Sequence, residues 1–121
     1  MRIYDSNLLI YSFQPTHSFL QAELLQTDSY VSNITKLEVL GYALISKPEK
    51  EYFERIFSLV NIVQIDDAVI EEAIKLRQMR KMSMGDSIIA ATAKINNFDI
   101  HTHNLTDFKW ISSINVIDPI Q

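Results

Sequence analysis

The stretch Ile62-Val63-Gln64-Ile65-Asp66-Asp67-Ala68-Val69-Ile70 decides the fold. A four-residue strand-forming run gives way to two aspartates, a natural helix start. Apolar residues then recur at Val69, Ile70, Ala73 and Ile74 with helical spacing. A strand running straight into a helix is the unit of a parallel sheet, because parallel neighbours need a crossover between them. The same alternation recurs along the chain. Strands are expected near residues 2 to 5, 29 to 32, 62 to 65, 99 to 102 and 115 to 117, which makes an α/β fold around a central parallel sheet of about five strands.

Working outward, the first strand leads into a helix from Ser6 to Phe13, and Pro15 breaks the chain before a short helix from about His17 to Leu25. From Ile34, the residues Leu37, Leu40, Gly41 and Leu44 have the spacing of a helix face set against a core. Pro48 ends that helix and can open the next, which runs to about Val60. The helix after Asp66-Asp67 is expected to reach about Lys81. Met82-Ser83-Met84-Gly85 then links it to a helix from Asp86 to Asn96, whose Ala90, Ala91 and Ala93 allow it to lie close on a sheet.

At 121 residues the chain has the length of a single domain, 1 to 121, able to bury its own core. Hydrophobic residues make up 47% and charged residues 21%, an ordinary globular composition that excludes a disordered or fibrous chain. No cysteine is present, so disulfides and thiolate metal sites are excluded, in keeping with a reducing compartment. Asp5 and Asn7 interrupt any apolar leader, and no apolar run approaches the roughly 20 residues of a membrane span. A cytoplasmic protein is expected. With only two glycines, neither a dinucleotide-binding nor a P-loop motif can be drawn.

The chemistry lies in four carboxylates. Asp5 follows Met1-Arg2-Ile3-Tyr4, Glu38 lies just beyond Tyr30-Val31-Ser32, Asp86 opens the alanine-rich helix, and Asp107 follows Ile100-His101-Thr102. Each has an innocent reading. Asp5 and Ser6 could cap a helix, Thr35-x-x-Glu38 and Ser83-x-x-Asp86 fit capping boxes, and Asp107 could sit in a turn. Together they read differently, because parallel strands deliver their C-terminal ends to one edge. Glu38 shares a stripe with Ile34, Gly41 and Ile45, so its carboxylate is expected to be half-buried and in need of a partner, and Lys36 lies on another face. A pool of oxygen ligands without cysteine or a histidine pair suits a hard ion, Mg²⁺ or Mn²⁺. The net charge of -4 does not oppose a phosphate substrate, since 15 acidic residues fall to 11, equal to the 11 basic ones, once these four are set aside.

Four segments carry a resemblance: Ile3-Tyr4-Asp5-Ser6-Asn7, Ser32-x-x-Thr35-x-x-Glu38, Gly85-Asp86-Ser87-Ile88-Ile89-Ala90-Ala91-Thr92-Ala93, and Thr102-x-Asn104-x-x-Asp107-Phe108. Their order and spacing resemble the successive motifs of PIN-domain ribonucleases, and most closely the VapC-type toxins of bacterial and archaeal toxin-antitoxin pairs. The resemblance covers essentially the whole chain. It implies a three-layer α/β/α domain in which Asp5, Glu38, Asp86 and Asp107 bind Mg²⁺ or Mn²⁺ and cut RNA. Ser6 and Thr35 are the supporting hydroxyls, and Thr102 and Asn104 match the polar pair beside the last acid. It also implies a homodimer silenced by a cognate antitoxin. The chain departs from the pattern at His103, where relatives commonly carry a basic residue.

Lys75, Arg77, Arg80 and Lys81 crowd the end of the fifth helix, either complementing its C-terminus or contacting an RNA backbone. Phe13, Phe19, Tyr42, Tyr52, Phe53 and Phe57 are expected in the core or a subunit contact. Two other functions fit less well. A haloacid-dehalogenase-like phosphohydrolase would use Asp5 as nucleophile, but Asn7 stands where a second acid is required and Glu38 has no role. A binding-only domain of the same fold would not need all four acids.

Overall fold

The computed structural model describes residues 1–120. The elements are β1 (Arg2–Tyr4), α1 (Ser6–Ser12), a 3-10 turn (Pro15–His17), α2 (Phe19–Leu24), β2 (Ser29–Ser32), α3 (Asn33–Leu40) and α4 (Lys47–Leu59). They continue with β3 (Asn61–Val63), α5 (Asp67–Met79), α6 (Met84–Asn96), β4 (Asp99–His101), a 3-10 turn (Leu105–Asp107) and β5 (Val116–Ile117). The five strands form one sheet in the order β3-β2-β1-β4-β5, and every pairing is parallel. Arg2 pairs with Ser29 on one side and with Asp99 on the other. From β1 the chain steps outward to β2 and β3, then returns to add β4 and β5 on the opposite side. The strand order therefore reverses between β1 and β4, the position where open α/β sheets place their ligands.

Two cores flank the sheet and make the three layers. One gathers Ile3, Val69, Ala73, Leu76, Ile89 and Ile100 beneath α5 and α6, and Phe108 closes its end. The other gathers Tyr4, Leu8, Leu20, Val31, Phe53 and Ile56 beneath α1, α2 and α4. Ile3 and Tyr4, successive residues of β1, thus anchor opposite faces, as the two-residue period of a strand requires. Burying each such side chain contributes about 1.5–3 kcal/mol. The alanines of α6 act as expected: Ala90, Ala91 and Ala93 are fully buried, so this helix sits within the domain.

Helix ends follow the chain's capping chemistry. Asp66 accepts from Val69 N at 2.9 Å to start α5, and Ser46 with Glu49 forms a reciprocal capping box on α4. Asn97 ends α6 in the left-handed region at φ 57°, ψ 45°, which asparagine tolerates better than most residues.

Several expected details differ. Only part of the stripe Leu37, Leu40, Gly41, Leu44 faces the core: Leu40 packs against it, but Leu37 is 67% and Leu44 78% exposed, and the buried residues of α3 are Thr35 and Val39. The helix stops at Leu40 because Gly41 turns out at φ -81°, ψ 3°, where a Cβ would stand 2.4 Å from the Leu37 carbonyl oxygen. Thr35 and Glu38 form no capping box, since Ser32 caps α3 by accepting from Ile34 N at 3.1 Å. Helix α5 ends at Met79, two residues before Lys81, and α6 begins at Met84, so Gly85 lies inside a helix and not in a linker. Of the aromatics, Phe53 and Phe57 are buried, whereas Phe13, Phe19 and Tyr42 are exposed.

Candidate active site

Asp5 stands at the reversal of strand order. It leaves the end of β1, caps α1 by accepting from Ser6 N at 2.8 Å, and with its other oxygen accepts from Thr102 Oγ1 at 2.8 Å, just past the end of β4. That second bond bridges β1 and β4 and ties the carboxylate to the switch point. Asp5 is only 6% exposed and Thr102 is fully buried. Thr102 Oγ1 also accepts from Asn104 N at 3.0 Å, which shapes the turn toward Asp107.

A second group of hydroxyls connects this acid to α3. Ser6 Oγ lies 3.0 Å from Thr35 Oγ1 and 2.8 Å from Glu38 Oε1. Glu38 itself is exposed, contrary to the half-buried position expected of it, but its carboxylate is not loose. It rests against Gly85 in the first turn of α6, where a Cβ would meet Glu38 Oε2 at 2.6 Å. A carboxylate at that helix end also lies toward the positive end of the helix dipole. Glycine at position 85 is thus the seat of Glu38, a role its place in the sequence did not reveal.

Electrostatics reports the same convergence. Burial, opposed by the Thr102 and Ser6 hydrogen bonds and reinforced by the charges of Asp86 and Glu38, pushes the Asp5 carboxyl from 3.8 up to about 6. Asp86 is also raised, first by burial and then by the charges of Asp107 and Glu38, against the lowering effect of Ser83. No basic side chain pairs with any of the four among the described residues, whose ion pairs are Arg2–Asp28, Lys94–Glu72 and His103–Asp118. Asp107 is exposed in its 3-10 turn, with its carbonyl oxygen accepting from Trp110 Nε1 at 3.1 Å.

Oxygen donors at mutual electrostatic range, and a glycine where any side chain would fill the seat, fit a hard divalent cation. As oriented, however, no three His, Cys, Asp or Glu side chains among the described residues surround a common point, because Asp5 and Glu38 turn their oxygens to hydroxyl and amide partners. Asn7 adds a buried Oδ1 that no described residue satisfies, two positions after Asp5.

The histidines divide. His101 packs against Tyr4 with ring centroids 5.0 Å apart, and burial lowers its pKa. His103 pairs with Asp118 at 2.8 Å and meets the Tyr11 ring edge-on. Nothing in the spacing of the chain signalled the Asp118 or Trp110 contacts. Asn104 is exposed, as are Lys75, Arg77, Arg80 and Lys81.

Fold and site together define an α/β domain that keeps its acidic groups at the carboxyl edge of a parallel sheet. The family model of the PIN domain matches residues 3–109, and the chain belongs to the PIN-domain family. A chain in a toxin-antitoxin complex from Klebsiella pneumoniae is similar at 30% identity and a TM-score of 0.81, over 98% of both chains. The structure of FitAB bound to a DNA fragment contains a chain 25% identical with a TM-score of 0.79, covering 100% of this chain and 96% of that one. DNA-bound VapBC from Salmonella typhimurium matches at 20% identity and a TM-score of 0.81, over 97% and 96%, a likeness of fold alone. The comparison with curated proteins gave no match. No helix among the described residues is long and apolar enough to cross a membrane.

Proposed function

We propose that this chain is a metal-dependent endoribonuclease using Mg²⁺ or Mn²⁺, and that it acts in the cytoplasm as the toxin of a toxin-antitoxin pair. The observation that carries the reading is Asp5: a buried carboxyl at the switch point, raised to about 6 by burial and by two neighbouring acids, with no basic partner among the described residues. Clustered carboxylates of this kind are costly unless a cation offsets them.

Asp5 and Asp86 would hold the ion, with Glu38 and Asp107 as direct or water-mediated ligands. When bound, such an ion supplies Lewis acidity toward water and phosphate oxygens. The remaining work falls to the polypeptide. Thr102 and the Ser6 amide fix the two oxygens of Asp5, while Ser6 Oγ and Gly85 hold the Glu38 carboxylate at the end of α6. Water attack in line with the leaving 3′ oxygen yields a 5′ phosphate.

Similarity to a chain of a toxin-antitoxin complex over nearly the full length supports a cognate antitoxin as partner. Two exposed apolar groups support a homodimer: Leu37 in a groove with Ile34, Leu40 and Ile65, and Ile70, Ile74 and Met84 in a second groove with Ile88. The test is cleavage of a labelled single-stranded RNA with Mg²⁺, Mn²⁺ or EDTA. Cleavage that requires the metal and disappears in Asp5→Asn is expected; cleavage that persists in EDTA would overturn the metal-dependent reading.

A further inference from the structure

The four basic residues at the end of α5 are not equivalent. Arg77 lies in the last turn and donates from Nε to the Met82 carbonyl at 3.3 Å, which holds the link to α6. Arg80 leaves the helix in an extended conformation, φ -158° and ψ 145°, and its guanidinium lies 5.5 Å from the centroid of the Trp110 ring. No ion pair among the described residues engages it. Trp110 is tethered in turn, through the bond from its indole N–H to the Asp107 carbonyl, and is flanked by the buried Phe108 and Ile111.

We propose that Arg80 is a phosphate clamp for single-stranded RNA at the rim of the acidic edge, and that Trp110 is the residue that positions it. This rests on the ribonuclease reading. An acidic edge repels the phosphates on either side of a cut, so a fixed cation is needed next to it. Of the four basic residues at the end of α5, Arg80 is the one whose guanidinium lies over the Trp110 ring, on the segment that carries Asp107. An arginine stacked on an aromatic face keeps its planar fork free for bidentate contact with phosphate oxygens, and the stack reduces the conformational freedom lost on binding. A helix-terminus role would aim the guanidinium at the last carbonyls of α5, but it turns to Trp110 instead.

The experiment measures kcat/KM for a short labelled single-stranded RNA in Mg²⁺ across a KCl series, using wild type, Arg80→Gln, Trp110→Leu, Trp110→Phe and the double variant Arg80→Gln/Trp110→Leu. Arg80→Gln is expected to lose about tenfold, mainly through KM, as befits one charge-assisted contact. Its log-log salt slope is expected to be shallower by about 0.7, the value of one phosphate contact on a single strand. Trp110→Leu should reproduce that loss, the double variant should be no worse than Arg80→Gln, and Trp110→Phe, which keeps an aromatic face, should recover most of it. If Trp110→Leu fails to fold, Arg80→Gln and Trp110→Phe still decide. Cleavage by Arg80→Gln within twofold of wild type, with an unchanged salt slope, overturns the clamp. Unchanged cleavage together with loss of binding to a poly-glutamate peptide would assign Arg80 to an acidic protein and equally overturn it. A wild-type protein that cuts no RNA in Mg²⁺ or Mn²⁺ defeats the ribonuclease reading, and the clamp falls with it.

Discussion

Gly85→Ala isolates one carboxylate without touching any ligand. The added methyl would stand 2.6 Å from Glu38 Oε2 and 2.9 Å from both Cδ and Oε1, so the carboxylate must retreat by roughly 0.8 Å to reach the ordinary contact distance of 3.4 Å. Metal sites tolerate about 0.2 Å in ligand position, so the displacement is several times what the site can absorb. Glu38 is exposed, so its carboxylate can yield outward at the expense of the Ser6 hydrogen bond, and the fold is not expected to suffer. Alanine in place of a helical glycine instead favours folding by up to about 0.5–1 kcal/mol, less so near a helix end. The expected result is a melting temperature equal to or above that of wild type, with Mn²⁺ affinity and RNA cleavage reduced at least tenfold. Calorimetry with Mn²⁺ and a thermal melt on the same sample read both. Wild-type Mn²⁺ affinity in a well-folded variant would refute the role given to Glu38, and a large loss of stability would refute the mobility of its side chain.

The pH dependence of Asp5 gives an independent test. Its folded-state pKa of about 6 lies above the unfolded value of 3.8, so the metal-free protein loses about 3 kcal/mol of stability as pH rises from about 4 through 6. Asp5→Asn should abolish that loss, melt higher than wild type at pH 8 without metal, and cut no RNA; a lower melt at pH 8 would show that Asp5 serves the fold. Ser6→Ala removes hydroxyl contacts to Thr35 and Glu38, and should cost about 1–2 kcal/mol by denaturant titration. Phe108→Ala, at a fully buried position behind the Asp107 turn, should cost about 3–5 kcal/mol by the same measurement.

The sheet was legible in the chain because β-branched runs such as Tyr30-Val31 and Ile62-Val63 alternate with helical patterns, and each observed strand lies within or one residue beside its expected position. Asp5 and Asp86 could be placed because strand and helix ends are marked by capping chemistry. The Leu37, Leu40, Leu44 stripe misled in part: Leu40 packs on the core, but Leu37 lies on the exposed side of α3, and the chain turns out at Gly41 before Leu44. Long-range contacts left no local signal: the seat of Glu38 on Gly85 joins residues on different helices, and the Arg80–Trp110 stack joins the end of α5 to the turn after β4. Asp107 followed its strand as expected, yet it stands exposed in a 3-10 turn that spacing alone does not specify.

Titration of Mn²⁺ into the purified protein and into Asp86→Asn, followed by calorimetry, probes the acidic edge most directly. Saturable binding to the wild type, weakened at least tenfold by Asp86→Asn and accompanied by proton release near pH 6 as Asp5 ionises, is the expected outcome. Equal uptake by both proteins, or none by either, would contradict the claim that these carboxylates gather around a divalent cation.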